Sequence, residues 1–233
     1  MFQINQLATF TMDLSINKAL TQCIAHYLPN EQEEANALTK RLLYVFELHE
    51  PFMDKVGKMD EVFNDFPKYD ELREVTFDLL LMNFFADDVK RLEADYLDSE
   101  EWAKIEDKTI DRGTELLNLL LYLSECKDED IEPELDDFLR EFLLVDEDEF
   151  QDEYHLYEPV IENQILVEST YSEIAKVANK VDDEQEVKPI FYVLMSYFME
   201  PAPKAEDWKS FEQFAPNPNY DKSLYQLLIN FSK

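Results

Sequence analysis

Apolar residues along the chain recur at spacings of three, four and seven. This is the period of an amphipathic helix, not the two-residue alternation of a half-buried strand. The spacing predicts about nine helices: 15–28, 31–50, 52–65, 70–95, 99–125, 133–145, 147–180, 184–199 and 221–231. A further short helix is expected near 206–214, and the 147–180 segment is expected to break near Pro159. Proline supplies the punctuation. Pro29, Pro51, Pro67, Pro133, Pro159 and Pro189 fall between periodic segments or just inside their starts, where the missing N–H costs little. Ser99, followed by Glu100 and Glu101, reads as an N-cap with acids in the first turn.

Three segments, 75–85, 116–123 and 190–199, are apolar nearly all round. A helix without a polar face must be surrounded, so Leu80, Leu120 and Leu194 are expected at the centre. By contrast, Leu135, Phe138, Leu139, Phe142 and Val145 make a single stripe, with Asp136, Asp137 and Glu141 outside it. That helix belongs on the surface. The expected architecture is one all-α domain over 1–233, an irregular multi-helix bundle or short helical stack. It carries an N-terminal arm (1–13), a proline-rich strap (200–220) and a C-terminal docking helix (221–231) with Leu224, Leu227, Leu228 and Phe231.

Composition narrows the function. A chain of 233 residues can bury a sizeable core without disulfides or a structural metal. Only two glycines are present, Gly57 and Gly113. That excludes phosphate cradles built from clustered glycines and argues against hairpin-rich β folds. The net charge of −32 is the reverse of the basic footprint that nonspecific nucleic-acid binding needs. No basic residue precedes Lys18, and the strongest apolar runs (79–82, 119–123 and 190–195) fall far short of the roughly 18–20 residues of a membrane span. Cys23 and Cys126 do not make a disulfide framework. A soluble cytoplasmic protein with two reduced thiols is expected. Adaptation to high salt fits less well, since lysine outnumbers arginine and Phe and Tyr are abundant.

Charge is concentrated. The segment 128–168 holds 17 acids and one base, Arg140, and so carries half the net charge. Aromatic and aliphatic residues recur within it, so it reads as an ordered element displaying a negative field, which speeds association with basic partners. Its crowded centre names the candidate partner-binding residues: Asp146, Asp148, Glu149 and Asp152, with Tyr154 and Tyr157 as aromatic contacts for a cation. A solvated face that keeps the protein soluble is the plainer account of the same charges. Trp208, Phe211, Phe214 and Tyr220 either serve as contacts too or pin the strap to the body.

Candidate chemistry is thinner. EF-hand spacing fails from Asp146, where the fifth position is Phe150 and the twelfth Tyr157. Paired acids on one helix face suit Mg²⁺: Asp87 and Asp88 with Glu93, Asp136 and Asp137 with Glu141, and Glu71 with Glu74 and Asp78. Of these, Asp87, Asp88 and Glu93 stand out because they follow the apolar run ending in Phe84 and Phe85. The arginines are scattered, however, and make no phosphate-holding cluster. Neither the paired Glu-x-x-His motifs of a di-iron bundle nor a glycine-flanked nucleophilic serine occurs. Cys23 and His26 lie three apart on one helix; a buried thiol beside a satisfied histidine is the simpler reading. No catalytic residue, metal or cofactor is assigned. The leading expectation is a non-enzymatic acidic module, chaperone-like or inhibitor-like, that takes a basic protein partner without touching nucleic acid or membrane. The alternatives are a mimic of nucleic-acid charge and a Mg²⁺-dependent all-α enzyme acting on diphosphate or nucleotide substrates.

Overall fold

The segments that lack a polar face lie where their composition requires. In the computed structural model, which describes residues 12–86, 99–142 and 155–233, Leu80, Leu120 and Leu194 are all buried. Among the described residues the chain forms twelve α-helices and two 3-10 helices, with no strand. We number the α-helices α1 (Leu14–Tyr27), α2 (Gln32–Phe46), α3 (Phe52–Asp65), α4 (Arg73–Ala86), α5 (Glu100–Thr109), α6 (Leu116–Glu129), α7 (Leu135–Phe142), α8 (Glu158–Glu162), α9 (Tyr171–Ala178), α10 (Lys188–Met199), α11 (Ala205–Phe214) and α12 (Pro218–Phe231). The 3-10 helices are Pro67–Leu72 and Gln164–Glu168. The all-α bundle is therefore as the sequence predicts.

Local chemistry sets the helix limits. Asp13 Oδ1 caps α1 by accepting from the N–H groups of Ser15 (2.8 Å) and Ile16 (3.2 Å). The end of the expected N-terminal arm is thus part of the body, and Met12 is buried. Ser99 Oγ accepts from Trp102 N–H at 3.1 Å and starts α5 as expected. Lys55, itself buried, donates its Nζ to the Phe46 carbonyl at the end of α2 (2.9 Å), placing a cation at the negative end of that helix.

Two long predicted helices are broken. The 99–125 segment divides into α5 and α6 because Gly113 adopts φ +89°, and the 147–180 segment resumes after α8 only through the 3-10 helix and the extended Thr170 cap of α9. Within the proline-rich strap, α11 forms and is held by rings. Phe211 stacks on Tyr192 (4.9 Å between centroids) and packs against Tyr225 (4.6 Å), while Tyr192 Oη donates to the Phe211 carbonyl (2.9 Å). These aromatics fix the strap to the body.

Packing runs from helix to helix and returns to its start. α1 packs on α2, α2 on α3, α3 on α4 and α4 on α6; α12 then packs most extensively on α1 and also on α10. The buried apolar side chains, from Met12 to Phe231, form one connected core. Every residue from Ile190 to Tyr197 in α10 is buried, and each large apolar one contributes roughly 1.5–3 kcal/mol relative to exposure.

Candidate functional site

The described part of the acidic segment begins at the end of α6. There Asp130 takes a left-handed conformation (φ 57°, ψ 43°), and the Ile131 N–H donates back to the Cys126 carbonyl at 2.9 Å. The buried Tyr122 then holds the turn at both poles. Its Oη donates to the Glu134 carbonyl (3.1 Å) and accepts from the Glu134 N–H (2.9 Å). From that anchor α7 docks through Leu135, Phe138 and Leu139, all buried, while all seven acids between positions 128 and 137 are exposed. The field is therefore mounted on an ordered turn and helix. Arg140 is occupied locally by Asp136 at 2.7 Å.

Of the predicted partner-binding residues, Asp146, Asp148, Glu149, Asp152 and Tyr154 lie outside the described residues. Tyr157 is corrected. It is 3% exposed, packs edge-on against Phe138 (5.7 Å), accepts from Asn118 Nδ2 (3.0 Å) and donates to the Glu115 carbonyl (3.3 Å). It is a core residue that closes the acidic segment onto the start of α6, and its ring is not on offer to a partner.

A second locus was not legible in the sequence. The loop between α5 and α6 is held by carboxylates from α3 and α4. Arg112 donates to both oxygens of Asp60 (3.1 Å each) and through Nε to Glu74 (2.8 Å), with its guanidinium over the Phe77 ring. Arg73 shares Asp60 at 3.1 Å and also binds Asp70 at 2.7 Å. The next two amides are also taken: Gly113 N–H donates to Glu74 (2.8 Å) and Thr114 N–H to Asp78 Oδ1 (3.0 Å). Thr114 Oγ1 donates to Asp78 Oδ2 at 2.6 Å. Burial pushes the Asp78 carboxyl well above its ordinary range; the Thr114 bonds oppose this, and the charges of Glu74 and Glu115 add to it. A Cβ at position 113 would stand 2.6 Å from Asp78 Oδ1, so glycine lets the loop approach this closely. The loop forms one wall of an open cleft of about 610 Å³, lined by residues 110–115, by Leu117 and Asn118, and by Glu186, Pro189 and Ile190.

Other candidates resolve into structural roles. Glu71 accepts from Tyr27 Oη (2.6 Å) and Asn217 Nδ2 (2.8 Å), so Glu71, Glu74 and Asp78 each serve a different partner. Asp87, Asp88 and Glu93 fall outside the described residues. No group of three or more His, Cys, Asp or Glu side chains among the described residues is arranged to hold a metal ion. Burial pushes the Cys23 thiol up to about 12, and His26 Nδ1–H donates to the Gln22 carbonyl (2.9 Å), so the pair has the geometry of a core thiol beside a satisfied histidine. Asp221, 3% exposed, accepts the Asn217 N–H at 2.8 Å, and burial pushes its carboxyl up to about 7.

No helix among the described residues is long and apolar enough to cross a membrane. Comparison with known protein families, with curated proteins and with solved structures gives no match.

Proposed function

We propose that this chain is a non-enzymatic, cytoplasmic protein-binding module that recognises a basic protein through its acidic 128–168 surface. The observation that carries the reading is the anchoring of the acidic turn. Tyr122 fixes the Glu134 backbone from the core side while seven acids face outward, so the charges are presented from a fixed frame. A field held in place steers a cationic partner into register, whereas the same charges on a mobile tail would only attract it. Solubility alone would not require the acids to gather on one anchored turn.

The test begins with co-purification of a stoichiometric basic protein and proceeds to stopped-flow association with it. Changing Asp146, Asp148 and Asp152 to Asn and Glu149 to Gln should slow association about tenfold or more at low salt, change dissociation little, and flatten the salt dependence. A variant that is more stable yet associates at the unchanged rate would leave these charges as a solvated face and end the proposal.

A further inference from the structure

The cleft beside the α5–α6 loop combines two features that meet in few ligands. Its apolar surface comes from Ile110, Leu117 and Pro189, above the buried Ile190, and Ile110 is 78% exposed. Its acids are Asp111, Glu115 and Glu186, of which Asp111 and Glu186 are exposed. Among the described residues the lining includes one cation, Arg112, and its guanidinium is engaged by Asp60 and Glu74. The N-terminal end of α6 would oppose a positive charge, but the Leu116 and Leu117 N–H groups both donate to Thr114. Three carboxylates thus stand beside apolar side chains among the described lining residues, against one engaged guanidinium.

A lysine or arginine side chain has the complementary form, an aliphatic stem ending in a cation. We propose that this cleft receives a lysine or arginine side chain projecting from the basic protein partner. The proposal rests on the binding function inferred above and locates an insertion point for it. Continuity supports this placement: Asn118, which lines the cleft, donates to Tyr157 of the acidic segment, so the cleft opens where that segment returns to the body. Rigidity supports it as well. The wall formed by Arg112, Gly113 and Thr114 is tied down by Asp60, Glu74 and Asp78, so little ordering remains to be done when a side chain enters.

The test uses fluorescein-labelled octaarginine and an alternating arginine–leucine octapeptide, with affinities read by anisotropy at 50 and 200 mM salt, and spermine as a competitor. Asp111→Asn with Glu186→Gln should weaken binding of both peptides about fivefold to tenfold at low salt. The charge-matched control, the exposed Glu47→Gln with Glu61→Gln, which lie outside both the acidic segment and the cleft lining, should weaken it less than twofold. Ile110→Ser should weaken the arginine–leucine peptide about threefold without changing its salt dependence, a loss that a purely electrostatic surface would not show. Equal effects from the two charge pairs would overturn the cleft, because binding would then follow net charge alone. Absence of binding to either peptide by the wild-type protein would also overturn it, as would displacement by spermine at concentrations where its charge equals that of the peptide. If neutralising the 128–168 charges slows partner association while the cleft variants bind both peptides normally, the surface reading survives and this inference does not.

Discussion

Asp221 offers a direct measure of what a buried carboxyl costs this fold. Asp221→Asn removes the titrating group but keeps an oxygen to accept the Asn217 N–H. The wild-type carboxyl rises from 3.8 to about 7, chiefly through burial, with the Asn217 bond opposing and the Glu71 charge adding. The folded protein thus binds this proton more tightly than the unfolded chain does. Its contribution to stability is full below about pH 3.8 and is lost as the pH rises through 7, at about 1.4 kcal/mol per pH unit, then levels off. The accumulated loss at pH 8 is about 4 kcal/mol. Urea unfolding of wild type and variant at several pH values isolates this group, because the other acids titrate in both. The exposed Glu106→Gln serves as a control for the loss of one charge. Asp221→Asn should stabilise the protein by about 1 kcal/mol at pH 4.5 and about 4 kcal/mol at pH 8. A gain that is the same at both pH values, or one matched by Glu106→Gln, would refute the reasoning.

Three further outcomes are expected. Leu80→Ala should cost roughly 2–5 kcal/mol in chemical denaturation, and a loss below about 0.5 kcal/mol would place Leu80 outside the core. Gly113→Ala should cost at least about 1–3 kcal/mol and increase hydrogen exchange at the Thr114 amide, because the new Cβ meets Asp78 at a positive φ; full wild-type stability would contradict that account. Cys23, with its thiol raised to about 12 by burial, should resist a disulfide reagent at pH 8 until the protein is unfolded, and a free-thiol rate in the native state would show that it is accessible.

The sequence made helices legible wherever apolar period and proline agreed. Residues 52–65 were expected as a helix and form α3 over that range, with Pro51 as its cap. It also marked the central segments, because 75–85 and 190–199 hold too few polar residues to build a solvent face around Leu80 and Leu194. It failed where one residue outweighed a periodic run: the apolar spacing from 99 to 125 is continuous, yet Gly113 turns the chain between α5 and α6. One of only two glycines, next to Arg112 and Asp111, was the available signal. The partners of Arg112 lie 38 and 52 positions away, Glu74 on α4 and Asp60 on α3, and no local spacing announces a salt bridge over that distance. Tyr157 was misplaced for a related reason. Acidic neighbours in sequence suggested a wet ring, whereas Asn118 and Phe138 supply its surroundings in space. The cleft required the break at Gly113, because the loop between α5 and α6 forms one of its walls.

The packing of α1 on α12 also has a consequence for the order of events during synthesis. Ile16, Ala19, Leu20, Cys23 and Ile24 are buried in α1, and the most extensive cover for that helix comes from α12, nearly two hundred residues downstream. At about 5–20 residues per second, the ribosome takes roughly 10–40 s to deliver that cover. Until then the nascent chain carries an apolar helix only partly covered by α2 and α4, which is a natural substrate for a holdase. Truncation just before Pro218 should therefore yield a chain that stays chaperone-bound, even though α2 to α11 are intact in sequence.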